Sequence, residues 1–448
     1  MRILLIYPNV YPYANYVQKI YLAKKFPLGL ISLASCILKN KHKVKIFDAL
    51  TLRASEDEVS SVIKEYKPEL IGIGNLSYFD LGSVFKLADL SKKINSEVIT
   101  VAGGITETFM SKEILEFCPS LDFIIRGEGE LPFLELIEAL EKGSGLKDIN
   151  GLAYRSNSGI VVLKNTCQYN DFTITPSILK DIFIKPYRLP YFLGKVNLLI
   201  QGSRGCPYNC SFCIVNEFCG NQVRYKKPSL IAEEMEAYCN YLNARRFIFV
   251  DSTFTVNKDF AYRVMEEILK RGLHKKVRWG FGTRVDCVDT KLLRALKNSG
   301  CYIISFGVES SLQEELNAYN KRIFLDQTIE AFRLSKENGI KTKATVIINQ
   351  YRYRKISEFD KHIKNTISFL NVLKPIKVGI APLILYPHSE LYFDYLNRKL
   401  IQQNGSDFLL RGHLIPSKFI AENLIFNRIF KMYLKVRFNI YLNRFKNF

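Results

Sequence analysis

No stretch of this sequence reaches about 18 uninterrupted apolar residues, the length that spans a bilayer, so no transmembrane segment is expected. The apolar run in MRILLIYPNVYPYANY is cut short at Pro8 and reads as a first strand, not as a secretory leader. A cytoplasmic chain is the expectation. Acidic residues are scarce: 43 Asp and Glu face 64 Lys and Arg, a formal net charge of +21. Such a field attracts anionic substrates, nucleic acid or an acidic membrane face without choosing among them. Ten cysteines in 448 residues are too few for a disulfide scaffold, so their clustering carries the information. Hydrophobic residues make up 48% of the chain, which excludes global disorder. The length exceeds what one core usually supports, and two or three domains are expected.

Residues 1–143 alternate short apolar runs with helical stretches. RILLIYP, KVKIFDAL, LIGIGN, EVITVAGG and DFIIRGEGE end in turn residues, and segments such as SEDEVSSVIKEYK and LPFLELIEALEKG separate them. That order implies a parallel α/β sheet with ligands at the carboxyl ends of its strands. Residues 144–195 lose the rhythm: GLAYRSNSGIVVLKN suggests a hairpin, YRLPYF carries a proline break, and the stretch reads as a connecting segment. From 196 to 400 a second series begins at VNLLIQGSRG and continues through RRFIFVDSTF, VRWGFGTRVD, YIISFGVES, KTKATVIIN and KVGIAPLILYP. Six such βα units predict a partial barrel with its chemistry at the strand C-termini. Residues 401–448 form a basic, mostly helical segment in which Glu422 is the one acid after Arg411. A helix packed on the barrel with a solvated basic face is the plainer reading, contact with an anionic surface the other.

GCPYNCSFC places Cys206, Cys210 and Cys213 in the loop after the first strand of the second series. Three thiols so close are a coincidence, half of a zinc site, a redox pair or iron–sulfur ligands. Structural zinc commonly takes four ligands from two pairs; no well-spaced second pair follows, and Cys219 reads as a buried or incidental thiol, with a fourth ligand as the alternative. Thiolates are soft ligands suited to iron–sulfur clusters, and a four-iron cluster on three of them leaves one iron open to a substrate or cofactor.

This CxxxCxxC loop, with Phe212 just before the third cysteine, resembles the radical S-adenosylmethionine superfamily. VRYKKPSLIAEEME, FIFVDSTFTVN, RWGFGTRVD and NSGCYIISFGVESSLQEELNAYNK follow in that family's order. The resemblance implies a [4Fe–4S] cluster on Cys206, Cys210 and Cys213, with S-adenosylmethionine bound at the open iron and cleaved by one electron to a 5′-deoxyadenosyl radical. It places Phe212, Asp251, Arg284, Glu309 and Ser310 around S-adenosylmethionine. The structural alternative for each polar one is a helix cap or a salt bridge at the barrel mouth. ATVIINQYRYRKIS departs from the family, whose members usually carry a glycine- and proline-containing turn ending in an acid there.

FPLGLISLASCILKNKHKVKIFDA, VAGG and DFIIRGEGELPFLELIEAL resemble the cobalamin-binding domain that precedes the barrel in one class of that superfamily, a Rossmann-like (flavodoxin-like) fold. The implied contacts are Pro27, Leu28, Gly29, Gly103, Gly104, Gly127, Glu128, Gly129 and Glu130, the glycines letting backbone approach a large flat ligand. The Asp-x-His-x-x-Gly string of many cobalamin proteins is missing, and His42 sits at a helix-to-strand turn away from the strand ends. Cobalamin without a histidine on its cobalt is therefore implied; a front domain that no longer binds it is the alternative. Cys36 and Cys118 are too few for the additional cluster of the methylthiotransferases.

Taken together, the resemblance is to the class B radical S-adenosylmethionine methyltransferases. It implies methylation of an unactivated carbon through a 5′-deoxyadenosyl radical and methylcobalamin, with electrons from an external one-electron reductant. Cyclases and rearrangement enzymes share the architecture and form the alternative. A non-catalytic iron–sulfur protein that binds nucleic acid is a third reading, disfavoured because no recognised nucleic-acid motif accompanies the charge. The charge points to an anionic small-molecule or lipid substrate, and the basic tail to peripheral membrane contact.

Overall fold

The computed structural model describes residues 1–9, 26–40, 42–75, 81–165, 197–401 and 422–445. They fall into two compact units, one drawn from residues 1–165 and the other from 197–401 with 422–445. The YRLPYF break and the first part of the basic tail lie outside the described residues.

In the front unit the five expected strands form. β1 (Arg2–Tyr7), β2 (Lys43–Asp48), β3 (Leu70–Asn75), β4 (Ile99–Gly104) and β5 (Phe123–Ile125) pair in parallel in the order 2-1-3-4-5. β1 is buried without interruption from Ile3 to Tyr7, as expected of a strand covered on both faces. Helices α1 (Leu28–Lys39), α2 (Glu56–Tyr66), α3 (Leu81–Ile94) and α4 (Glu130–Lys142) alternate with the strands. α2 opens on a capping box between Ser55 and Glu58, which satisfies two otherwise orphaned amides. The strand order is the flavodoxin-like one; its direction reverses between β1 and β3 and opens a crevice at their carboxyl ends.

The hairpin expected after Gly151 forms as β6 (Leu152–Ser156) and β7 (Gly159–Val162), yet it is no connector. β6 pairs antiparallel with β5, from Phe123↔Tyr154 to Ile125↔Leu152, and β7 pairs with β6. The front unit therefore runs past the boundary at Gly143, because the hairpin covers an edge that β5 would otherwise expose.

The second unit contains β8 (Asn197–Ile200), β9 (Ser203–Arg204), β10 (Arg224–Tyr225), β11 (Arg246–Phe249), β12 (Arg278–Thr283), β13 (Cys301–Glu309), β14 (Lys341–Ile348) and β15 (Lys377–Pro382). β8 and β11 to β15 make one six-stranded parallel sheet in chain order, the partial barrel expected. β9 and β10 form a separate antiparallel ribbon. Helices α5 (Pro228–Leu242), α6 (Lys258–Lys270), α7 (Thr290–Asn298), α8 (Leu325–Glu337) and α9 (Ile356–Leu373) follow the strands. α6 and α7 start at side-chain caps, where Asn257 accepts from Phe260 N and Asp289 from Leu292 N. Inside, the Phe254 ring lies 4.6 Å from Phe249, 5.7 Å from Trp279 and 4.9 Å from Phe281.

After α10 (Glu390–Asn397), the tail returns as α11 (Glu422–Phe445). Ile425, Ile429, Met432 and Val436 are its buried side. Arg428 Nε donates to Asp360 at 2.8 Å and Asn439 to Asn371 at 3.3 Å, so α11 runs alongside α9 in the same direction.

Candidate active site

The cysteine loop leaves β8 at the carboxyl edge of the barrel sheet and is held at both ends. At its root the Asp251 carboxylate, 5% exposed, accepts from Gly202 N at 3.0 Å and from Ser203 Oγ at 2.5 Å. Burial pushes this carboxyl up to about 6, against the opposing pull of those two donors. The β9–β10 ribbon closes the base. Gly205 has φ +95°, and a Cβ there would stand 2.4 Å from Gln222 O, so the residue before the first cysteine has to be glycine. Farther along, Ser211 N donates to Tyr319 O and Ser211 Oγ to Ala318 O, both at 3.0 Å. Asn320 Nδ2 donates to Asn209 O at 2.8 Å, and Leu391 N to Ser211 O at 2.8 Å. Segments beyond β13 and β15 thus fix the loop without using its thiols.

Cys206, Cys210 and Cys213 are all free thiols with partial exposure. Burial raises Cys210 and pushes Cys213 up to about 11, and in Cys213 the nearby Cys210 and Cys206 add to the rise. Among the described residues no three His, Cys, Asp or Glu side chains converge on a single-ion position. Three soft donors on one loop, near enough to feel each other's charge, are the donor set that a four-iron cluster with one uncommitted iron takes.

Beside the loop lies a buried ion pair. Lys321 Nζ donates to Glu309 Oε1 at 2.7 Å, with the two side chains 7% and 12% exposed. Burial works against the Lys321 charge, but Glu309 and Cys210 outweigh it and its pKa rises. A register shift after Gly307 bends the end of β13, and Glu309 itself has φ +59°, a conformation costly for a residue with a Cβ. A Cβ on Gly307 would meet Glu309 Oε1 at 2.3 Å and Lys321 Nζ at 3.0 Å, so that glycine makes room for the pair. Phe212 stands edge-on to Tyr319 at 5.3 Å, with Lys321 Nζ 5.9 Å from its ring centre.

The other residues expected around S-adenosylmethionine are engaged within the protein. Asp251 anchors the loop root. Ser310 Oγ donates to Glu315 and accepts from Leu312 N, capping the turn after β13. Arg284 forks onto Asp286 and lies against the cysteine loop. Where ATVIINQYRYRKIS departs from the family, Gln350 bridges the ends of β14 and β15 by donating to Leu383 O and accepting from Leu383 N, both at 2.9 Å. Lys321, Tyr208 and Cys287 were not singled out from the sequence. Lys321 sits inside the NAYNK stretch and Tyr208 inside the cysteine loop, so their positions were in view although their partners were not.

At the carboxyl edge of the front sheet, the turn after β5 is laced to the end of β4. Gly127 N donates to Thr108 Oγ1 and Thr108 Oγ1 to Gly104 O, while Arg126 Nε donates to Thr108 O. Gly127 has φ +75° and a Cβ there would strike Asn165 Nδ2 at 2.5 Å, so this glycine serves the fold. Gly129, which precedes α4, and Gly103 leave little room: their added Cβ atoms would lie 3.2 Å from Leu33 Cδ2 and 3.3 Å from Ile125 O. Glu128 and Glu130 are buried, and Glu130 accepts from Ser32 Oγ at 2.6 Å. Pro27 and Leu28 open α1, and Gly29 has no heavy atom within 4 Å of an added Cβ, leaving open space at the start of that helix. Gly29 thus leaves its helix start unobstructed on the side of the carboxyl ends of the strands, where a 2-1-3-4-5 sheet takes its ligands. His42 pairs with Glu141 at 3.5 Å, at the opposite edge of the sheet.

An open parallel half-barrel with a three-thiol loop after its first strand follows, in the chain, a flavodoxin-like unit, the architecture expected from the sequence. Residues 200–364 match the radical SAM superfamily and residues 23–137 the B12 binding domain. A protein from Pyrococcus horikoshii named an uncharacterized methyltransferase is 28% identical over 439 residues, covering 97% of this chain and 92% of its own. The anaerobic magnesium-protoporphyrin IX monomethyl ester cyclase of Rubrivivax gelatinosus is 31% identical over 404 residues, 88% of this chain and 69% of the relative. Among solved structures, the radical S-adenosylmethionine methyltransferase TsrM of Kitasatospora setae shares the fold with a TM-score of 0.75 at 18% identity, over 96% of this chain and 83% of that one. The chain belongs to the radical S-adenosylmethionine superfamily, in the class that carries a B12-binding domain, and its cofactors are a [4Fe–4S] cluster, S-adenosylmethionine and cobalamin.

Proposed function

We propose that the chain methylates an unactivated carbon, with Cys206, Cys210 and Cys213 holding the cluster and Glu309, oriented by Lys321, receiving the amino group of S-adenosylmethionine. Gly29 and the start of α1 leave space for cobalamin, whose other contacts follow the β4 and β5 ends. When bound, the cluster supplies one electron to S-adenosylmethionine and cobalamin carries the methyl group. The protein's own part is to fix the thiol loop through Asp251, Ser211 and Asn320 and to keep the charged pair out of water, where its field is strongest.

The observation that carries this reading is the thiol loop and the buried Glu309–Lys321 pair at one strand edge, in a chain alike over nearly its whole length to a protein named a methyltransferase. The cyclase relative supports a second reading, ring formation on the same architecture. A substrate-free incubation separates them. Protein reconstituted with iron, sulfide and hydroxocobalamin is given S-adenosylmethionine and a one-electron reductant. Methyl transfer yields S-adenosylhomocysteine, approaching one per bound corrinoid. Production of 5′-deoxyadenosine with no S-adenosylhomocysteine sinks the methylase reading.

The substrate we infer is an anionic small molecule, on the strength of the +21 charge. Peripheral contact with an anionic bilayer is supported by the outer side of α11, where Leu434 and Phe438 are 49% and 60% exposed among the exposed Lys431, Lys435 and Arg437. Among the described residues no helix is long and apolar enough to cross a membrane. α11 descends beside α9 toward the amino ends of the strands, so this contact tethers the barrel by the end opposite its cysteine loop. Co-sedimentation with phosphatidylglycerol vesicles is expected, and Phe438→Glu should reduce it several-fold; equal binding by the variant removes α11 from the argument.

A further inference from the structure

The turn from Arg284 to Cys287 touches the cysteine loop at three points. The Arg284 guanidinium carbon lies 3.9 Å from the centre of the Tyr208 ring, and Nη1 approaches Cys210 Sγ at 4.0 Å. The Tyr208 hydroxyl meets Cys287 Sγ at 3.2 Å. On its other edge the guanidinium is gripped by Asp286, through Nε at 2.9 Å and Nη2 at 2.8 Å. Arg284 is 4% exposed, so this is not a solvated surface pair of small consequence. The ring fixes the plane of the guanidinium and the carboxylate fixes its rotation within that plane. The remaining nitrogen is then directed at one sulfur. A lysine has neither a plane to stack nor a fork to grip, so it could not be aimed in this way.

We propose that Arg284 is a positioning residue whose Nη1–H, aimed at the Cys210 sulfur, raises the reduction potential of the cluster those cysteines hold. This rests on the cluster assignment given above. Reduction of a cluster adds negative charge that its cysteine sulfurs share, and a charge-assisted donor at a sulfur stabilises that added charge. Asp286 cancels much of the guanidinium's distant field and leaves a local, directed donor. The electron comes from the external reductant, and Arg284 changes only how readily the cluster accepts it. Tyr208 is the platform, and its hydroxyl, spent on Cys287, ties the turn to the loop.

The test uses the full chain reconstituted anaerobically with iron and sulfide, without S-adenosylmethionine. The reduced cluster is followed by electron paramagnetic resonance at a series of set potentials. Wild type and Arg284→Gln are expected to take up equal iron and sulfide. At a given potential the ratio of reduced to oxidised cluster in Arg284→Gln falls about tenfold, which is ~59 mV for one electron. Arg284→Lys lies between the two, and Tyr208→Phe, which keeps the ring, stays near wild type. An unchanged potential in a cluster-loaded Arg284→Gln protein overturns the proposal. If that variant takes up no iron, Arg284→Lys decides: a lowered potential supports the proposal and a wild-type potential overturns it. Failure of the wild-type chain to take up iron is a different result, because it overturns the cluster assignment itself.

Discussion

Alanine at Cys206, Cys210 or Cys213 should each strip the reconstituted protein of its iron and reduce cleavage of S-adenosylmethionine to background. Three protein thiolates are the whole donor set that the loop offers. With one removed, two soft ligands remain for a cluster that already has one iron uncommitted. The loss should not come from unfolding. Asp251, Ser211, Asn320 and Gly205 hold the loop through backbone and carboxylate contacts that involve no thiol. The metal-free variants should therefore melt within about 1 °C of the metal-free wild type, an effect on the scale of a few tenths of a kcal/mol. Cys219→Ala, on the short helix just beyond the loop, should keep its iron and serves as the control. Iron and sulfide assays with chromatography of 5′-deoxyadenosine make the measurement. A single-alanine variant of the three that retains both cluster and turnover would remove the central assignment.

Lys321→Met is the second large effect. Deleting one member of a buried ion pair leaves the other charged and unpaired, a loss of about 3–5 kcal/mol. The Glu309–Lys321 pair qualifies, being nearly buried and packed so closely that Gly307 has no room for a Cβ. Glu309→Gln should cost less than Lys321→Met, because a neutral amide can still accept from Lys321. The double variant Glu309→Gln/Lys321→Met should recover much of the stability, since no unpaired charge is then left inside. Affinity for S-adenosylmethionine should not recover with it: all three variants should bind at least tenfold more weakly if Glu309 receives the amino group. Urea unfolding and anaerobic equilibrium dialysis report the two quantities separately. A double variant that regains stability and wild-type affinity together would reduce the pair to a structural role.

The parallel strands were legible because a strand buried on both faces is a contiguous apolar run, as in RILLIY, while KTKATVII shows itself by β-branched residues and alternating burial between turn residues. The cysteine loop was legible because its spacing is local. The hairpin at 152–162 was visible as a hairpin, but its choice of β5 as partner is tertiary and left no mark in its own residues. Strand-end positions of Asp251, Arg284 and Ser310 were equally clear from sequence. What their polar atoms do was not, because each partner is decided by fine geometry: Ser203 lies 48 residues away from Asp251 and Cys210 lies 74 away from Arg284. Lys321 escaped notice for a similar reason, since the bend in β13 that turns Glu309 toward it is a backbone irregularity that side-chain pattern does not encode.

The barrel sheet begins at β8 and ends at β15, and these two strands have no pairing with each other. Eight strands closed into a ring leave an interior that side chains nearly fill. Two strands fewer, at 4.7–4.9 Å of spacing each, correspond to a gap of roughly 10 Å along the sheet. A sheet of six strands that need not close on itself can take a wider ligand at its carboxyl edge than a closed ring of eight. Screens for the substrate should accordingly include wide, fused-ring or carrier-linked compounds beside compact metabolites.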